Sequence, residues 1–337
     1  MMDDFRELLA CPACAGVLAA DWSCGACGAR FDAPDGIPNL RLPGDARTDA
    51  VRRFYDCAPF PGYAARESLH ALHARAERSA FARLLNHAIP GDARIVDVGC
   101  GTGQLCLYLA RADRLIVGAD LTRAALRLAA EAAHRFELDR VRFVETDLLR
   151  PGLKAGSFDV VYSSGVLHHT PDPRAAFARL AELARPGGTI VLGVYNAFAR
   201  APLRLRRLVA RLSGFRSIPF DPVLRDRRTE PARREAWLRD QYQHPEEHVH
   251  TLAEVQGWFT ENRVEYVRAY PSAVLGEEPE HLFARAADNW RLEGWLAQLG
   301  WIRAIGHEGG LFFTIGRRTS RAASALPRTE VHNTAEP

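Results

Sequence analysis

Two Cys-x-x-Cys pairs stand near the start of the chain, Cys11-Pro12-Ala13-Cys14 and Cys24-Gly25-Ala26-Cys27, nine residues apart. Four thiolates at that spacing can close a tetrahedral site, and with no open position the metal, zinc, would be structural. Met1 to Glu7 shows no signal-peptide pattern, which places the chain in the cytoplasm, where thiols stay reduced; the pairs therefore read as ligands rather than disulfides. A second concentration of chemistry is Val96-Asp97-Val98-Gly99-Cys100-Gly101-Thr102-Gly103-Gln104. Glycines at a strand-to-helix turn let backbone approach a ligand with no Cβ in the way. A nicotinamide-binding turn would read G-x-G-x-x-G, but the sixth position from Gly99 is Gln104, so that fingerprint fails. Asp120, 21 residues after Gly99 at the end of the next apolar run, can accept hydrogen bonds from a ribose hydroxyl pair. Asp147, after the third such run, suits a donor such as an exocyclic amine.

Titratable groups that could serve a reaction lie in two further places. Gly165-Val166-Leu167-His168-His169-Thr170-Pro171-Asp172 follows a predicted strand and falls at the edge of the sheet where ligands sit, with His169 bordering the reacting atoms. Asp240 to His250 gathers His244, His248 and His250 with Glu246 and Glu247, which could supply a general base or a metal site, and His244 or His248 could take a proton there. The i, i+2 spacing of His248 and His250 suits neither one helix face nor a zincin motif. An ordinary solvated helix entry with Thr251 as N-cap explains part of the cluster. Phe54-Tyr55-Asp56 and Pro59 to Tyr63 read either as a lid or as a packed linker.

These groups need a scaffold, and the pattern supplies one. Apolar runs at Arg94–Val98, Leu115–Ala119, Val141–Glu145, Phe158–Tyr162 and Thr189–Val194 alternate with helical segments. After a break, Leu252–Asn262 reads as a helix and Val264–Tyr270 and Leu311–Ile315 as strands. The expected fold is α/β, a seven-stranded, doubly wound, mostly parallel sheet whose last strand is antiparallel. Residues 1–45 form a zinc ribbon, 46–90 a helical lead-in, 91–317 the main domain with a cap insert at 196–250 and a second insert at 272–309, and 318–337 a disordered tail. In the first insert Leu205, Leu208, Val209 and Leu212 keep helical spacing, and the rim of the site is the nearest surface on which to bury them.

Composition excludes some functions. The chain has 337 residues, 47% hydrophobic, and no apolar run of transmembrane length. Lys154 is the only lysine, so the positive charge behind a net +3 is arginine; with abundant alanine, this looks like genome composition rather than selection for nucleic acid. Residues 1–46 carry seven acidic side chains against three arginines, the wrong sign for an RNA-binding ribbon. Residues 196–240 carry twelve arginines and five acids, which could meet RNA, an acidic substrate or a membrane surface.

Val96–Gly103, Asp120, Glu145-Thr146-Asp147, Phe158-Asp159-Val160-Val161 and Arg185-Pro186-Gly187-Gly188 together resemble the class I S-adenosylmethionine-dependent methyltransferases. The resemblance is strong over residues 90–200 and weak over 250–316. It implies a cofactor site of Asp97, Gly99, Gly101, Gly103, Asp120, Leu121, Asp147, Leu148 and Ser163, with the glycine turn at the methionine end, Asp120 at the ribose and Asp147 at the adenine. The segment from Leu8 to Leu40 is similar to the small zinc-ribbon family that activates tRNA and protein methyltransferases. No Asn-Pro-Pro-Tyr type motif of amino-methylating enzymes follows the fourth strand. The expected reaction is therefore methylation of a small-molecule acceptor. An RNA or protein methyltransferase, or a non-catalytic cofactor-binding subunit, is the alternative; nucleic acid is not the favoured partner.

Overall fold

In the computed structural model, the residues described are 2–44, 46–56, 67–111, 113–214, 218, 221–225, 234, 237–238, 241–242, 247–287, 291–306 and 309–320. The chain starts with a short helix α1 (Met2–Arg6), then runs through the cysteine module into α2 (Ala46–Asp56), α3 (Leu69–Ala76) and α4 (Ala80–Ala88). The alternation follows: β1 (Arg94–Val98), α5 (Gln104–Leu109), β2 (Leu115–Asp120), α6 (Arg123–Arg135), β3 (Val141–Glu145), β4 (Phe158–Ser164), α7 (Pro173–Leu183) and β5 (Ala184–Tyr195). The insert contributes α8 (Ala201–Leu212) and α9 (Pro222–Arg225), after which come α10 (Leu252–Glu261), β6 (Val264–Tyr270), α11 (Arg291–Ala304) and β7 (Leu311–Arg318).

The seven strands form one sheet in the order β3-β2-β1-β4-β5-β7-β6. β7 runs antiparallel to both neighbours, as the sequence predicts, and the pairs from β3 to β5 are parallel. Parallel strands covered on both faces must be apolar on both faces. β1 meets this with Ile95 in one core cluster and Val96 and Val98 in the other. Helices α4, α5 and α6 cover the first face through Leu85, Leu107 and Leu126. Helices α7 and α10 cover the second through Phe177 and Phe259, whose rings stack at 5.1 Å. Thr251 caps α10 by accepting from the Glu254 amide, as expected.

Phe5, Leu8, Leu9 and Leu40 of the N-terminal module share the second cluster with Val144, Leu148 and Leu153. The module also continues the sheet. The Glu145 amide donates to the Pro38 carbonyl at 2.9 Å and the Leu40 amide donates to the Glu145 carbonyl at 2.8 Å, a parallel bridge along the outer edge of β3. Among the described residues, no helix is long and apolar enough to cross a membrane. Residues 321–337, read from sequence as part of a disordered tail, lie outside the described residues.

One expectation about the insert is overturned. Helix α8 turns Leu203 and Ala210 inward against Tyr242, while Leu205, Leu208 and Leu212 are exposed. The inward side also carries Arg207, whose guanidinium donates to the Glu247 carboxylate at 2.5 and 2.6 Å and to the Gln241 carbonyl. A bidentate ion pair, not the leucine stripe, therefore sets how the helix is rolled.

Candidate active site

The carboxyl ends of β1, β2, β4 and β5 open into a cavity of about 620 Å³. At its centre lies the turn after β1. Gly99 and Gly101 line it with backbone in the left-handed region (φ 79° and 53°). A Cβ on Gly99 would sit 2.0 Å from a methyl of Val166, so only glycine fits there. Gly103, grouped with the ligand residues by sequence, does not line the cavity. It begins α5, and a Cβ on it would meet Ala129 at 2.9 Å and Phe143 at 3.0 Å, so its role is close packing of helix on sheet.

Asp120 ties this turn to β2. Its carboxylate accepts from the Gly101 amide at 2.8 Å and the Thr122 amide at 2.8 Å. The Leu121 amide and the Thr122 hydroxyl also bear on it, so donors of the turn after β2 hold the carboxylate in place on the cavity wall. Burial pushes the Asp120 carboxyl above the usual range, against the pull of those amides. Asp97 is buried near the same turn, and its carboxyl is pushed up to about 7, chiefly by burial, with the Cys106 thiol pulling down and Asp120 pushing further up. A cation entering this end of the cavity would meet two desolvated carboxyls. Leu121, Asp147 and Leu148 also line the cavity, and Asp147 is oriented by the Leu149 amide at 2.9 Å. Ser163 does not. Its hydroxyl donates to the Val98 carbonyl at 2.8 Å, and its neighbours Tyr162 and Ser164 reach the cavity because side chains alternate along β4.

The far end is aromatic. His169 lines the cavity and lies edge-on to the Tyr195 ring, 5.8 Å away. His168 is fully buried behind it, its ring tilted over Tyr195 at 3.8 Å. His248 does not line the cavity. Its amide donates to the His168 carbonyl at 2.8 Å and its ring stacks on His250, so it braces the histidine loop. His244 lies outside the described residues.

Sequence reasoning missed the brace around Tyr195. Arg200 is fully buried with its Cζ 3.4 Å from the Tyr195 ring centre, a cation–π contact. It donates to Glu247 at 2.7 Å, to the Gln241 side-chain oxygen at 2.7 Å and to the Gly309 carbonyl at 2.5 Å. The Gln241 amide in turn donates to the Tyr195 hydroxyl at 3.3 Å. Burial opposes charge on Glu247, but Arg200 and Arg207 outweigh it and hold its carboxyl at about 2. Glu247 is thus a fixed anion and no proton acceptor near neutrality. Its signal in the sequence was only the arginine-rich helix tens of residues away. Trp237 and Gln241 close the cavity from the insert, and Thr48, Val51 and Arg52 of α2 close it on the turn side; Tyr63 and the Tyr55 side chain, the proposed lid contacts, lie outside what is described.

The four N-terminal thiols form a separate cluster, with all Sγ atoms within 4.8 Å of one another. Cys11 and Cys27 approach to 3.7 Å, and Cys14 and Cys24 to 3.5 Å. The edge of a tetrahedron with metal–sulfur bonds of roughly 2.3 Å is about 3.8 Å, so the four atoms fit one metal ion.

Residues 96–192 match the family described as "Methyltransferase domain". The chain is 34% identical over 181 residues to a ubiquinone biosynthesis O-methyltransferase of Xanthomonas axonopodis, covering 51% of this chain and 70% of the relative. It is 31% identical over 249 residues to an uncharacterised protein of Synechococcus, covering 64% of this chain and 58% of the relative. The chain spans 58% and 54% of the lengths of the first curated relatives it matches. A magnesium protoporphyrin IX methyltransferase from Synechocystis superposes with a TM-score of 0.47 at 17% identity, covering 81% of this chain and all of that one.

Proposed function

We propose, from the premise that this chain belongs to the class I S-adenosylmethionine-dependent methyltransferases, that it methylates a small-molecule acceptor held under the 196–250 insert. One observation carries the reading: a single cavity runs from Gly99, Gly101 and Asp120 to His169 and Tyr195, and the insert closes it through Trp237 and Gln241. A base or side chain of a folded RNA would need an open approach, and the presence of Trp237 and Gln241 of the insert in the lining supports a more confined one. Two of the insert's arginines, Arg200 and Arg207, are committed to Glu247 rather than to a phosphate stripe. The oxygen acceptor named for the Xanthomonas relative suits the aromatic lining here.

When bound, S-adenosylmethionine supplies an activated methyl group on a sulfonium. The chain then has three tasks. Asp120 and Asp147 fix the nucleoside, and Asp97 offers a carboxylate to the positive end. Val166, Tyr195 and Trp237 exclude water and hold the acceptor in line. His169, the imidazole on the cavity wall, takes the proton from a hydroxyl acceptor. The four cysteines would hold a structural zinc, which cross-links the N-terminal module and takes no part in transfer.

The test is a transfer assay with methyl-labelled donor against small-molecule extracts and against unmodified RNA. Label in small molecules, lost in His169→Ala with donor affinity retained, is the expected result. Label in RNA, with affinity that falls steeply as salt rises, would reject the reading.

A further inference from the structure

The leucines that α8 leaves outside lie on one face. Leu205, Leu208 and Leu212, at i, i+3 and i+7, are 65%, 55% and 80% exposed. A second exposed apolar group stands on α11: Leu292, Trp295 and Leu296. The Phe198 ring, in the segment that leads into α8, meets the Trp295 ring edge-on at 6.0 Å. Monomeric proteins rarely leave a row of large apolar side chains exposed along one helix face without a use for it.

Charge decides between occupants. Helix α8 carries Arg204, Arg206, Arg207 and Arg211 and no acidic residue. Arg207 is used by Glu247, but Arg204 and Arg211 are exposed beside the leucines. Leucines with a tryptophan at the margin and arginines alongside suit an interface whose outer layer is anionic and whose inner layer is hydrocarbon. A 12-residue helix lies in such a layer and cannot cross it. A second copy of this chain would bring the arginines of both copies together and has no matching acidic stripe on α8 to offer.

We infer that the outer face of α8, together with the exposed side of α11, docks this protein on an anionic phospholipid surface. The helix leaves the sheet directly after Tyr195, a residue of the cavity wall, so docking brings the rim of the cavity to the bilayer. An acceptor carried in the bilayer would then reach the site without crossing bulk water. That extension rests on the proposed reaction, while the docking does not.

The experiment is flotation of the full chain with vesicles of phosphatidylcholine alone and of phosphatidylcholine containing phosphatidylglycerol. The protein should float with the anionic vesicles and far less with the neutral ones. Leu208→Gln/Leu212→Gln should reduce the bound fraction at least about tenfold, because two of the three exposed leucines of α8 are lost. Arg204→Gln/Arg211→Gln should reduce it severalfold at low salt. Tryptophan emission should shift to the blue on binding, and Trp295→Phe should remove most of that shift. These side chains lie outside the cavity wall, so binding of S-adenosylhomocysteine by the same variants, measured by calorimetry, reports that they are folded. Absence of flotation with anionic vesicles overturns the proposal. So does flotation that the leucine pair does not change, or self-association of the wild-type chain that the leucine pair abolishes, which would make the face a contact between copies.

Discussion

Asp97 and Asp120 lie on adjacent strands beside one glycine turn, yet they are held differently. Asp120 accepts from backbone amides of the turn with the Thr122 side chain adding to them, whereas the partner of Asp97 among the described residues is the Cys106 thiol, so burial acts on Asp97 with little to offset it. Its carboxyl, at about 7 against an ordinary 3.8, gains a proton in the folded chain across that interval. The folded state then binds more protons than the unfolded one between those values. Asp97 therefore lowers stability as pH rises toward 7, and the penalty is fully present above it. A cationic cofactor reverses the preference, since it needs the carboxylate. Cofactor affinity should be flat above pH 7 and should weaken toward about tenfold per unit below it; Asp97→Asn should flatten that profile. Calorimetry of S-adenosylmethionine across pH reads this directly, and an unchanged wild-type slope in the variant would remove Asp97 from the site. Asp120→Ala should weaken the same ligand by roughly tenfold to two-hundredfold, from about 1.5–3 kcal/mol for a hydrogen bond to a charged group. Wild-type affinity in that variant would sink the ribose assignment.

At the scale of elements, the sheet was legible because each parallel strand announces itself as a short apolar run between helical segments. Ile95-Val96 and Ile116-Val117 are buried on opposite faces, as such runs require. The glycine turn was legible too, although packing of Gly103 on Phe143 and ligand approach at Gly99 look alike in a sequence. The insert was legible only in outline. Helical spacing in α8 reveals a leucine stripe but not which way it faces. That choice is made by Arg200 and Arg207, which find Glu247 47 and 40 residues later. Pairing over such a distance leaves no local periodicity. The same pair explains why Glu247, counted among possible bases, is a brace instead. Removing one partner from a buried pair leaves the other uncompensated. Glu247→Gln should therefore destabilise the protein by about 3–5 kcal/mol, visible as a lowered denaturation midpoint. A carboxyl held at about 2 gives stability that is present above its ordinary 4.5 and lost as pH falls from there toward 2. The acid limb of the wild-type stability profile should thus flatten in Glu247→Gln. A variant as stable as wild type at neutral pH would mean the insert is held by its apolar contacts alone.

At the scale of the whole molecule, the N-terminal module and the cofactor loop behave as one structure. Residues 37–40 pair with the outer edge of β3, and the Ala10 amide donates to the Gly152 carbonyl at 3.1 Å while the Lys154 amide donates to the Leu8 carbonyl at 2.8 Å. Arg123, directly after the β2 turn, bonds the carbonyls of Pro34 and Ile37 and the Glu145 carboxylate. Leu40 packs so closely on Gly152 that a Cβ there would lie 2.4 Å from it. The stretch held in this way, 146–153, carries Asp147 and Leu148 into the cavity. A small module has too little core to keep its shape without a cross-link, and a metal ion held by the four clustered thiols would provide one. From sequence alone, loss of metal should loosen residues 1–45 ahead of the sheet. The packing extends that expectation to 146–153, the strip that the module supports from behind. Hydrogen exchange after chelation should show lost protection in both segments, with β1 and β4 retained. Affinity for S-adenosylhomocysteine should fall with it, because the adenine end of the site loses its support while Asp120 and the glycine turn remain. If protection vanishes in residues 2–44 and persists across 146–153, the two parts are mechanically independent and a metal held there would serve the module alone.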